Sequence, residues 1–405
     1  MDRVRRLLIA SLPGERWLLG LAGQRLVRVE IERLRAPDRV GEVHAARVTA
    51  VVRGLAGAFV VLGDGTEAFL PTEEADPTRP EGGPAGSIET LVREGEIVIV
   101  GVVRAAMGGK GLRVSRRAVR AIERGSVPSR PALLAGAPPR AVSMLAEEPD
   151  VEEIICEDPT LVPALRAVRP DLAERIVTFR GPRPLLEPAL EAEVESLTEP
   201  VVRVTASVTL RIAMTEAATV IDVDGGGGSG REAASLHREQ VNRLALPEAA
   251  RQIVLRNLGG VILLDPAGLS SRRGAREALA RAMTRALTCD PLGAKVLGFS
   301  RAGLMEIVRP KVRPPLAEVL GEVETAFRPS ARTEAMRALR TLWRESLGRP
   351  AARLRLRAGP VVAEAVAAER EGVAFTEERT GRRVSCVVDR SLAPSAWSVE
   401  EVGDE

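Results

Sequence analysis

Three aspartates carry the chemistry most directly readable in this sequence. The stretch Met214 to Gly230, MTEAATVIDVDGGGGSG, holds an apolar run that stops on Asp222, with Asp224 two residues later. A second run in Gly259 to Leu269, GGVILLDPAGL, stops on Asp265. Both runs have the length of strands. Side chains at i and i+2 of a strand share a face, so Asp222 and Asp224 project together, and Asp265 emerges at the end of Val261 to Leu264. If the two strands are neighbours, three carboxylates meet at one sheet edge. Like charges placed this way resist joint ionisation unless a cation intervenes. Mg²⁺ suits the pattern, because it takes oxygen ligands, keeps several waters and is held by one or two carboxylates plus a phosphate-bearing substrate. Phosphodiester chemistry follows. An aspartate that closes an apolar run also serves as a turn former or helix N-cap, and spacing alone leaves that reading open.

The elements around these residues must place them. Ala249 to Leu258 reads as a helix stopped by Gly259-Gly260. Gly225 to Gly230 follows Asp224 directly, and a glycine run lets backbone amides approach a phosphate. GGGGSG lacks the Lys and Ser/Thr of a P-loop, and Ser229 is not in a nucleophile elbow, since Arg231 stands two residues after it. A substrate-facing loop and plain disorder remain. Arg309 and Lys311 are expected to alternate on one strand face, as phosphate-positioning contacts. Upstream, residues 5 to 35 form a strand meander, and Gly41 to Arg117 contains five short strands with glycine-rich corners that suit an OB-fold. Phe59 and Phe69 fall inside that barrel, either as stacking platforms for bases or as interior filling. The acidic run Glu147, Glu148, Asp150, Glu152 and Glu153 reads as a solvated helix face.

Composition bounds the rest. A chain of 405 residues has room for two to four cored domains. Its 58 basic residues against 55 acidic ones leave a formal charge of +3, so any nucleic-acid surface must be local. Only Lys110, Lys295 and Lys311 among the basic residues are lysines, a bias that fits GC-rich coding as well as phosphate recognition. Three cysteines, never paired as CxxC, argue for a reducing compartment and against a zinc knuckle. Histidine chemistry is disfavoured, His44 and His237 being the only two. No apolar segment reaches the ~18 residues of a membrane span, and MDRVRRLLIASLPGER meets charge before a signal-peptide core is complete. A cytoplasmic protein with no membrane partner is expected.

Taken in order, TEAATVIDVD, VNRLALPEAARQIVLRNLGG, VILLD and FSRAGLMEIVRPK resemble the catalytic core of the ribonuclease E/G family. The resemblance implies an α/β (α+β multidomain) fold. A ribonuclease H-like domain (1–38 and 130–184) would be interrupted by an OB-fold RNA-binding barrel (39–117). A connector (118–129) would stand where longer members carry a 5′-sensor. A DNase I-like catalytic domain (185–316) and a small C-terminal domain (317–405) would follow. It further implies Asp222 and Asp265 as magnesium ligands, and Asp224, where the family usually has asparagine, orienting water or the metal shell. Phe59, Phe69, Arg104 and Lys110 would grip RNA from the barrel, and Arg309 and Lys311 would match a basic pair near the scissile phosphate. The implied activity is magnesium-dependent endonucleolytic hydrolysis of single-stranded RNA, in RNA processing or decay. Besides Asp224, three features depart from the family pattern. Gly268 replaces a second acid, the 5′-sensor is missing, and no CPxC zinc link follows Pro315, so no structural zinc is expected and a homodimer would form through the C-terminal part. The alternative is a catalytically weakened or inactive RNA-binding member, and a third reading is a DNA nuclease.

Overall fold

The computed structural model describes residues 2–80, 83, 86–119, 128–225, 231–268, 273–323 and 327–402. Most of the 118–129 connector and of the glycine run after Gly225, and the His237 side chain, lie outside them. The chain divides into two compact units, one of residues 1–37, 144–309 and 315–405, the other of residues 38–143 and 310–314.

The first unit opens with the meander Arg6–Leu12, Glu15–Ala22 and Arg25–Arg33, all antiparallel. Glu153–Cys156 joins it in parallel beside Arg6–Leu12, and Ile176–Thr178 adds in parallel outside that. Trp17, Leu7, Ile9 and Leu19 are fully buried in this sheet. The acidic run corrects one expectation: it is not a solvated helix face. The helix Arg140–Glu147 ends within it and strand Glu153–Cys156 begins there. Each acid instead meets an arginine of the first sheet or its approach: Arg3 with Asp150 (2.6 Å), Arg5 with Glu152 (2.7 Å), Arg6 with Glu153 (2.6 Å), and Arg28 with Glu148 (2.5 Å) and Glu147.

A six-stranded sheet follows in the same unit. Its order is Val201–Arg203, Thr209–Met214, Ala218–Asp224, Gly260–Asp265, Met305–Arg309, Lys295–Phe299. Only Ala218–Asp224 and Gly260–Asp265 run parallel, and parallel neighbours need a crossover, which the 25-residue helix Arg231–Leu255 supplies. That helix and Arg273–Ala286 cover one face. Ile221, Val223, Ile262, Leu264 and Ile307 pack there against Val241, Ala245, Ile253 and Met283. The same strands therefore turn their alternate residues outward.

The remainder of the first unit begins with helix Ala331–Gly348, whose N-cap Ser330 accepts from the Thr333 amide. Strand Leu354–Ala358 then pairs with Cys386–Val388 and Trp397–Glu401 beneath helices Pro360–Ala368 and Arg370–Thr380. Arg340 ties this part to the first sheet: it donates to Glu15 (2.8 Å) and Glu191 (2.7 Å), and lies over the Trp17 ring at 5.4 Å.

The second unit is a closed five-stranded barrel consistent with an OB-fold. Val43–Val52 pairs with both Gly57–Val61 and Ile97–Arg104, and Glu67–Pro71 and Leu112–Ser115 complete the ring as its parallel pair. Ala132–Ala135, expected at the start of the resumed first domain, instead adds to Val43–Val52, which draws residues up to Ser143 into this unit. No helix among the described residues is long and apolar enough to cross a membrane.

Candidate active site

Alternation along Ala218–Asp224 buries Thr219, Ile221 and Val223 and exposes Asp222 and Asp224. The parallel register sets Asp222 directly beside Asp265. Strands so paired lie ~4.8 Å apart and their paired side chains share a face, so two carboxylates stand side by side at the open end of the sheet. Both are exposed, and neither has a hydrogen-bond or ion-pair partner among the described residues. Asp224 lies one pleat further out, opposite Thr209, and the exposed Arg211 is the register partner of Asp222 on its other side.

Three residues of the crossover helix hold the loops that follow these carboxylates. Val241 presses on Gly225, where a Cβ would come 2.5 Å from Val241 Cγ2. Asn242 clasps the turn after Asp265: its Nδ2 donates to the Ala267 carbonyl (3.0 Å), and the Ala267 amide donates to its Oδ1 (2.9 Å). Arg238 lies against Gly268, whose φ of +51° strains any other residue and whose Cβ position falls 2.0 Å from Arg238 Cδ. Any side chain at 268 would have to displace the exposed Arg238 side chain as well as adopt that backbone angle. Sequence reasoning missed Asn242. Its signal was a lone polar residue in the apolar stripe of Val241, Ala245, Leu246 and Ala249, where it is 4% exposed.

The donor set can be tested against a metal. Among the described residues no group of three or more His, Cys, Asp or Glu is placed to hold an ion. A four-ligand zinc site does not fit that arrangement. Mg²⁺ does, since one or two carboxylates suffice when water and phosphate oxygens complete its shell.

In the barrel unit, Phe59 and Phe69 are register partners with ring centroids 5.5 Å apart, edge to face. They do not fill the interior, which is occupied by Ala58, Val60, Ala68 and Leu70 of the same two strands. The row continues across the sheet, Phe69 beside Arg113 and Arg113 beside Arg104. Arg113 is held by Glu73 at 2.6 Å. Burial, and then the neighbouring charge of Arg113, lower the Arg104 pKa, and its Nε is buried without a partner while Nη2 donates to the Gly111 carbonyl. Lys110 is exposed in the adjoining Gly108-Gly109 hairpin, and Arg113 is the member of the row that the sequence did not single out.

Arg309 requires a correction. Instead of facing a substrate it is 3% exposed, with Nε and Nη2 on Asp290 (3.0–3.1 Å) and Nη1 on Asn257 Oδ1 and the Leu258 carbonyl (2.9 Å each). Its donors are spent on pinning the loop before Gly260–Asp265. Nor does Lys311 share a strand face with it: the strand ends at Arg309, and Lys311 lies beyond Pro310, exposed, within the barrel unit.

Fold and site together define a multidomain α/β chain with an OB-type barrel and a register-paired carboxylate edge. Comparison with known proteins is specific: the model of the ribonuclease E/G family matches residues 110–312, and the chain belongs to that family. It is 31% identical to the chloroplastic ribonuclease E/G-like protein of Arabidopsis thaliana, over 51% of this chain and only 21% of that protein. It is 26% identical to ribonuclease G of Haemophilus influenzae over 79% of this chain and 82% of that one, and 24% identical to ribonuclease G of Salmonella typhimurium over 95% and 96%.

Proposed function

We propose that the chain is an endoribonuclease that hydrolyses single-stranded RNA with Mg²⁺ held between Asp222 and Asp265. The register pairing of those two carboxylates carries this reading, and the family supports RNA as the substrate. A bound Mg²⁺ supplies polarisation of a phosphoryl oxygen and acidification of water. The protein groups do the positioning. Asp222 and Asp265 bind through oxygen, Asp224 accepts from a water and orients it, and Arg211 balances the carboxylate charge across the sheet. On the barrel, the Phe59–Phe69 pair offers a stacking surface, with Arg113, Arg104 and Lys110 for the backbone phosphates. On this reading the five-stranded first sheet belongs to a ribonuclease H-like domain interrupted by the barrel, and the six-stranded sheet bearing the carboxylates is DNase I-like; the two strand orders support it.

The glycine at 268, where an acid would be expected, favours one competing reading, an RNA-binding member with weakened cleavage. Incubation of end-labelled single-stranded RNA with Mg²⁺ and then with EDTA separates the two. Cleavage that EDTA stops, and that Asp222→Asn and Asp265→Asn each reduce at least ~100-fold with RNA still bound, is the expected result. Undiminished cleavage by both variants would sink the assignment, and binding without cleavage at any Mg²⁺ concentration selects the competing reading.

A further inference from the structure

A cavity of about 270 Å³ opens beside strand Leu354–Ala358, lined by Arg353, Arg355, Arg382 and Arg383, with Ser385 at its rim and Leu354 and Val384 among its apolar lining residues. No aspartate or glutamate lines it. In a chain with 58 basic and 55 acidic residues, a cavity lined by one sign of charge is not what composition alone would give.

The four guanidiniums are not equivalent. Arg382 donates to the Pro350 and Ala352 carbonyls, which fixes the rim, and Arg355 donates to Glu400 on the neighbouring strand. The side chains of Arg353 and Arg383 have no hydrogen-bond or ion-pair partner among the described residues, while the Arg353 carbonyl accepts from the Val402 amide. The Ser385 hydroxyl is likewise unengaged, while its carbonyl accepts from the Leu356 amide and so holds the rim to the sheet. Arg353 immediately precedes a central strand, and Arg383 follows the turn at Gly381 that ends helix Arg370–Thr380. Both are therefore set on ordered backbone.

We propose that this cavity binds a nucleotide, its phosphate between Arg353 and Arg383 with the Ser385 hydroxyl, and its sugar or base on the aliphatic lining. Guanidinium forks match phosphate oxygens, and charge-assisted bonds of this kind gain most where no carboxylate competes. The volume sits just below the ~300–1,000 Å³ of small-molecule sites, which suits a single nucleotide unit and not a protein segment. That unit comes either from a free nucleotide or from an RNA strand. The inference does not depend on the cleavage site.

Isothermal titration of the full chain with adenosine 5′-monophosphate, and with adenosine as the phosphate-free control, tests it. The expected result is saturable binding of the monophosphate, at least about tenfold weaker for adenosine and for Arg353→Gln/Arg383→Gln, with unfolding temperature unchanged because both arginines are exposed. Ser385→Asp, which puts a negative charge at the rim, should abolish binding. Asp222→Asn should bind like the wild type, so failure of the cleavage assignment and failure of this one are distinguishable. Competition by a 5′-hydroxyl, 2′-O-methyl oligonucleotide identifies an RNA strand as the source, and its absence identifies a free nucleotide; either supports the pocket. Equal binding of adenosine, no loss in the double variant, or no saturable binding at millimolar monophosphate overturns it.

Discussion

At the scale of single residues, the two register-paired aspartates illustrate what alternation can and cannot reveal. Asp222 and Asp265 are legible because each ends an apolar run, and a two-residue period decides which face they take. Asn242 is illegible by the same rule, for its role is fixed by Ala267, 25 positions away. Its two hydrogen bonds set the course of the chain just after Asp265. Asn242→Ala is expected to slow single-turnover RNA cleavage on the order of 10–100-fold through misplacement of that carboxylate, at a stability cost of about 1–3 kcal/mol from the unpaired Ala267 groups. Asn242→Asp keeps an acceptor for the amide but opposes the carbonyl, and should not restore the rate. Cleavage at the wild-type rate by both variants would deny Asn242 any positioning part. Arg309 shows the opposite failure. Its place in a basic, strand-like string suggested substrate, yet a buried partner 19 residues earlier, Asp290, had already claimed it.

At the scale of elements, five short strands between glycine-rich corners were enough to expect a barrel, since closure needs only that pattern and a core of alternating small aliphatics. The sixth strand, Ala132–Ala135, was hidden in a Pro- and Ala-rich stretch with no alternation, and only its partner strand gives it an extended form. The barrel's outer row makes an expectation of its own. Because Phe59 and Phe69 stand outside the core, Phe59→Ala and Phe69→Ala should leave the unfolding temperature nearly unchanged. Each should weaken single-stranded RNA binding by about 1–3 kcal/mol, read by fluorescence anisotropy at fixed salt. A large loss of stability with unaltered affinity would make the pair structural.

At the scale of the whole molecule, the buried charges give the chain a pH signature. Burial alone would raise the Glu15 pKa, but Arg33 and Arg340, with the Trp17 indole N–H, outweigh it and hold the carboxyl below its ordinary value. A depressed folded pKa stabilises above the unfolded value of about 4.3 and is lost as pH falls through the folded one. Glu148 and Glu157 run the other way: burial raises both, so their contribution is greatest in acid and fades as pH rises through their folded values. Glu15→Gln should therefore cost roughly 3–5 kcal/mol at pH 7 and flatten the fall of unfolding temperature below about pH 4.3, measured by circular dichroism. An unchanged acid limb would count against Glu15 as its source.

The same ion pair limits how the gene could be cut. Residues 317–405 read as a separable module, yet Arg340 supplies one of the two guanidinium partners of a glutamate laid down more than three hundred positions earlier. A fragment stopping near residue 316 would keep Arg33 but leave Glu15 and Trp17 without Arg340, so C-terminal deletion would expose a half-compensated glutamate that a Glu15→Gln exchange would relieve.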